Sequence, residues 1–140
     1  MTHKERSAWL FLTIFVITYV PYFAISAQRG LPANMPGFEQ LILFGITTGI
    51  QIVLIIVGHI YFALLYRKEM RIPADERDRA IELRGMRSAY YVLITGAVFA
   101  GVYMPFVASG WALVQAMLFF IVLAELVHYG VVIAAYRRES

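Results

Sequence analysis

The chain has 140 residues, of which 61% are hydrophobic and 15% charged, so once its apolar stretches are placed in lipid there is no length left for a separate soluble domain. A net charge of +3 is too small to signal a nucleic-acid partner. The absence of cysteine excludes disulfides, thiolate metal ligands and cysteine nucleophiles together.

Four apolar runs follow one another, each longer than the roughly 20 residues that cross a bilayer core. The first, Ser7 to Gln28, comes after Lys4 and Arg6. Its basic start and the small residues Ala24-Ile25-Ser26 also fit a secretory signal, but the run exceeds a typical signal core and reads as a first span. The second run, Gln40 to Tyr66, carries Gly45 and Gly49 four residues apart together with Gln51 and His59. Small residues at this spacing let helices approach closely in lipid; packing inside the bundle is the expected use, with a homodimer through the Gly45 face as the other.

Residues 67–87 form a polar connector with seven basic and five acidic residues. Pro73 interrupts the chain, and Asp75-Glu76-Arg77-Asp78 then reads as a helix start in which Asp75 caps exposed amides and acidic side chains meet the positive end of the helix dipole. Asp75 and Glu76 are spaced to pair with Arg79 on a solvated surface. This helix is expected to run into the third span, Ser88 to Ser109, where Gly96 with Ala100 and Ala97 with Gly101 repeat the small-residue spacing. The fourth run, Trp111 to Tyr136, contains Gln115, Glu125 and His128.

Residues 1–140 therefore predict a single all-α domain, a four-helix transmembrane bundle. Eleven of the twelve basic residues lie before the first span, between the second and third, or after the fourth, and Arg29 stands by itself in the first outer loop. Basic residues in short loops stay on the cytoplasmic side, so both termini are expected there.

A weak internal echo accompanies this topology. Tyr19-Val20-Pro21-Tyr22 resembles Tyr103-Met104-Pro105-Phe106, while His59 before Tyr66-Arg67-Lys68-Glu69 resembles His128 before Tyr136-Arg137-Arg138-Glu139. Two repeated hairpins of one orientation would produce it, and so would the ordinary preference for Tyr and Arg at membrane boundaries. Pro21 and Pro105 are expected to end their helices rather than kink them. Trp9, Tyr66, Tyr90, Tyr91, Trp111 and Tyr136 are expected as interfacial anchors.

Asp75-Glu76-Arg77-Asp78-Arg79-Ala80-Ile81, Ala89-Tyr90-Tyr91-Val92-Leu93, Met104-Pro105-Phe106 with Ser109-Gly110-Trp111, and Tyr136-Arg137-Arg138 together resemble a group of small bacterial four-span membrane proteins marked by an Asp-Glu-Arg-Asp stretch before the third span. The resemblance covers the second half of the chain better than the first. It implies a bacterial inner-membrane location and transfers no catalytic residue.

Polar side chains at membrane depth are the candidates for chemistry. Glu125 and His128 share one helical face, and His59 and His128 each lie roughly 10–12 Å from the boundary tyrosine that follows them. His59, Glu125 and His128 could hold a divalent metal; the two histidines could be axial to a haem; or the group could be a hydrogen-bonded polar set that fixes helix register. A buried carboxyl beside imidazoles would also serve a proton-coupled small-solute transporter acting as an oligomer. The leading expectation is a non-enzymatic module with no cofactor, embedded in the bilayer and docking a cytoplasmic protein through Arg77, Arg79 and Arg84.

Overall fold

The computed structural model describes residues 3–29, 38–73, 75–108 and 110–138, and every regular element among them is helical. Helix α1 spans His3–Arg29, α2 Phe38–Leu65, the short α3 Arg67–Met70, α4 Glu76–Val98 and α5 Trp111–Arg138. The four long helices are long and apolar enough to cross a membrane. Ile46, Val53, Ile56, Val57, Leu64 and Val102 are all more than half exposed, an outer surface that only an apolar solvent would tolerate.

Asp75 starts α4 as its sequence predicts. Its backbone is extended, and its Oδ1 accepts a 2.7 Å hydrogen bond from the Asp78 amide, satisfying one of the helix's free donors. The polar connector is thereby reduced to α3 and the turn after it, because residues 76–87 already belong to the long helix. Those first turns are also packed: Ile81 is 1% exposed and joins Ala8, Val132, Ile133, Ala135 and Tyr136 in a core cluster. The expected solvated extension therefore has one face turned inward.

The two prolines behave differently. Pro21 lies inside α1, which continues to Arg29, so it does not end the helix. Ahead of Pro105 the helix widens into a π turn, Phe99–Tyr103, and closes through a 3-10 turn, Met104–Phe106. In a continued α-helix the proline ring would meet the carbonyl of Gly101. Gly110 then reverses the chain at φ 64°, a conformation that costs a residue with a Cβ and suits glycine. The echoed proline motifs thus occupy unlike local structures.

The principal packing runs α2 on α1, α1 on α5 and α5 on α4. At one end Phe44 of α2 meets Trp111 of α5 edge-on at 5.7 Å, closing the bundle across its width. At the other end lie the start of α1, the end of α2, the start of α4 and the end of α5. Both described ends of the chain share that charged end with the connector, in agreement with the alternating topology.

Small residues serve α4, and on α2 the close contact falls at Gly58, where a Cβ would stand 3.1 Å from Leu10 Cδ2, in place of Gly45 and Gly49. A Cβ on Gly96 would overlap the Phe120 side chain, and one on Gly85 would stand 2.7 Å from His128 Cδ2, so both glycines set the close α4–α5 approach. Gly45 and Gly49 have nothing within 4 Å of such a Cβ. Their expected role inside the bundle is therefore not realised. Trp111 and Tyr136, at 8% and 5% exposure, are core residues instead of lipid-facing anchors.

Candidate functional site

The charged end of the bundle encloses a cleft of about 730 Å³ between α2 and α4, floored by α1 and α5. Phe11, Phe62, Leu83, Met86 and Val132 supply apolar walls; Lys4, Asp78, Arg79 and Glu82 bring charge to the lining, and His3 a polar ring. This mixture follows from the helix register: α4 enters the bundle with its polar first turns still inside the packed region, so charged and apolar side chains share one space.

Asp78 organises the rim. Its Oδ2 pairs with Lys4 at 3.2 Å and its Oδ1 accepts a 2.7 Å hydrogen bond from the Tyr136 hydroxyl, tying α4 to both α1 and α5. Partial burial alone would push this carboxyl up. The Tyr136 and Lys4 contacts outweigh that effect and hold it below its ordinary value. Around it, His3 pairs with Glu69 at 3.2 Å, Arg6 donates to the Tyr66 hydroxyl at 2.7 Å, and Arg137 stands 3.5 Å from the buried Glu5 and over the Trp9 ring.

His128 faces two carboxylates, with Nε2 2.8 Å from Glu82 and Nδ1 3.8 Å from Glu125. Glu82 belongs to the first turns of α4, so His128 lies beside the polar start of that helix. His59 lines the same cleft, its Nδ1 3.0 Å from the Ile55 carbonyl. A row of rings links the two imidazoles: His59 to Phe11 at 4.7 Å, Phe11 to Tyr129 at 5.8 Å, and Tyr129 to His128 at 4.9 Å.

The sequence-predicted set is consequently split. Glu125 and His128 meet, and His59 shares their cleft only through two intervening rings. Among the described residues no three His, Asp or Glu side chains gather as a metal-holding group. An axial pair for a haem would have to displace Phe11 and Tyr129 and compete with Glu82 for His128. Of the connector arginines, Arg79 lines the cleft and forms no ion pair with Asp75 or Glu76, while Arg77 and Arg84 are engaged elsewhere.

Lys4, Asp78, Glu82 and Tyr136 were not legible as site residues, since their spacing in the chain carries no common period. A hint existed in the amphipathic pattern of the connector, where Asp78, Ile81, Glu82 and Gly85 fall on one helical face.

No protein-family model, curated protein or solved structure matches this chain.

Proposed function

We propose that this chain is a non-enzymatic membrane protein whose cleft binds an amphiphile with an anionic head, of the kind a phospholipid presents. The observation that carries this reading is the juxtaposition in one cleft of an apolar wall, made by Phe11, Phe62, Leu83 and Met86, with Arg79 and the imidazole of His59, whose Nδ1 lies at the Ile55 carbonyl. Lys4 and His128 are already neutralised by Asp78 and Glu82. Arg79 is therefore the cation offered to a phosphate, and a bidentate guanidinium suits that group better than a point charge does.

The excess of basic residues at this end supports a cytoplasmic orientation in a bacterial inner membrane, where anionic lipids face inward. The resemblance in the second half of the chain agrees with that location. The expected binding role of the connector is kept, and its ligand becomes a lipid instead of a protein.

The test is lipid retention by the purified protein in native mass spectrometry, with phosphatidylglycerol set against phosphatidylcholine. Wild-type protein should retain phosphatidylglycerol in preference. Arg79→Glu should weaken that retention by about tenfold or more, on the 1.5–3 kcal/mol scale of a hydrogen bond to a charged group. Met86→Trp, which fills the cleft, should reduce retention of both lipids. Equal binding of the two lipids, or no change in Arg79→Glu, would sink the proposal; a protein crosslinked through Arg77 and Arg84 in its place would return the ligand to the protein class.

A further inference from the structure

The half of the bundle away from the cleft holds a second polar group that the charged network does not touch. Gln51 on α2 and Trp111 and Gln115 on α5 are each more than nine-tenths buried, at 4%, 8% and 8% exposure. Tyr22 of α1, at 2% exposure, accepts from Gln115 Nε2 through its hydroxyl. Its ring lies 6.3 Å from Phe44, which in turn packs on Trp111. One helical turn separates Trp111 from Gln115 and two separate Phe44 from Gln51, so the group occupies a short stretch of the α1–α2–α5 seam.

Both amide atoms of Gln51, Oε1 of Gln115 and Nε1 of Trp111 have no hydrogen-bond partner in the protein. Lipid cannot provide one, and buried polar atoms are otherwise nearly always satisfied. The unpaired set mixes donors, the Gln51 amide N–H and the indole N–H, with acceptors, the two glutamine carbonyls. An anion would be faced by the carbonyls and a cation by the N–H groups. No carboxylate or basic side chain is part of the set.

We propose that Gln51, Trp111 and Gln115 form an intramembrane site for neutral molecules that donate and accept hydrogen bonds at once, occupied by bound water. A buried water needs two to four polar partners, and these side chains supply that number without assistance from the backbone. The site is chemically distinct from the cleft and does not depend on the amphiphile reading.

The experiment is NMR on nitrogen-15-labelled protein in lipid nanodiscs, read for magnetisation transfer from water to the Trp111 indole N–H and the Gln51 side-chain amide, together with melting of Gln51→Leu. Long-lived water contacts at both groups are expected. Gln51→Leu should lower the melting temperature by about 2–4 °C, the shift of a single lost polar contact in a chain of this size. A dry seam would show no water contact, and Gln51→Leu would raise the melting temperature by removing unpaired polar atoms; either result overturns the proposal. Acetamide at millimolar concentration tests the breadth of the site: displacement of the water signals with a raised melting temperature is expected of a site that takes small neutral donor–acceptor molecules, whereas unchanged signals would overturn that breadth and restrict the site to water.

Discussion

Gly85→Ala should destabilise this protein while Gly45→Ala stabilises it, although the same methyl group is added to an α-helix in each. At an open helical position the change removes glycine's excess backbone freedom and gains up to about 1 kcal/mol. Gly45 is such a position. At Gly85 the new Cβ would stand 2.7 Å from His128 Cδ2, 2.8 Å from Val132 Cγ2 and 3.0 Å from the His128 carbonyl oxygen, where ordinary contact begins at 3.4 Å. The imidazole can swing away only by leaving Glu82, and the carbonyl can yield only if α4 and α5 separate by a few tenths of an ångström along their whole contact. Such overpacking costs about 1–3 kcal/mol, so the net effect is a loss of about 1 kcal/mol and a melting temperature lower by about 2–4 °C. Gly96→Ala, which overlaps Phe120 more severely, should lose more. The assay is thermal melting by circular dichroism in one detergent for all variants. If Gly85→Ala and Gly45→Ala shift in the same direction, the close α4–α5 approach is not what the glycines provide.

Asp78→Asn should weaken the junction of α1, α4 and α5 by about 1 kcal/mol, measured by chemical unfolding, because it removes the charge paired with Lys4 while keeping the shape. Since the folded state holds this carboxyl below its ordinary value, its stabilising effect is present above the unfolded-state value near about 4 and is lost as pH falls through the lower folded value; wild type should lose stability across that acid window, and Asp78→Asn should lose less. Glu125→Gln should be tolerated, with a melting temperature within about 2 °C of wild type, since Glu82 rather than Glu125 makes the short contact with His128. A cysteine at residue 79 should react with a membrane-impermeant thiol reagent only after the cells are opened, whereas labelling of intact cells would invert the orientation.

The helices were legible because lipid imposes one rule, a long run almost without charge, and the runs from Ser7, Gln40, Ser88 and Trp111 each satisfy it, with Glu125 the one Asp, Glu, Lys or Arg among them. Asp75 was legible too, because capping is a local matter of four consecutive residues. The site was not, for a reason visible in Asp78: its partners Lys4 and Tyr136 lie on two other helices, and their meeting depends on how far α4 slides along α5. That slide is set by Gly85 and Gly96, whose role cannot be separated in sequence from that of Gly45 and Gly49. His59 and His128 show the converse limit, since equal distances from a boundary tyrosine placed them at one level but gave no information about the rings between them.

Phe44 and Trp111 clamp α2 across the bundle at one end, while at the other its ties run to α1, through His59 on Phe11 and Tyr66 on Arg6, which makes α2 a lever. From Phe44 to Leu65 the helix is about 30 Å long, so a tilt of about 10° at the clamp moves its far end by about 5 Å. That displacement is comparable to the width of an acyl chain, and α2 has only α1 along most of its length to resist it. Membrane thickness and lateral pressure act on the exposed side of this same helix. A tilt about the Phe44–Trp111 pair would change the width of the cleft, because His59 and Phe62 form its α2 wall.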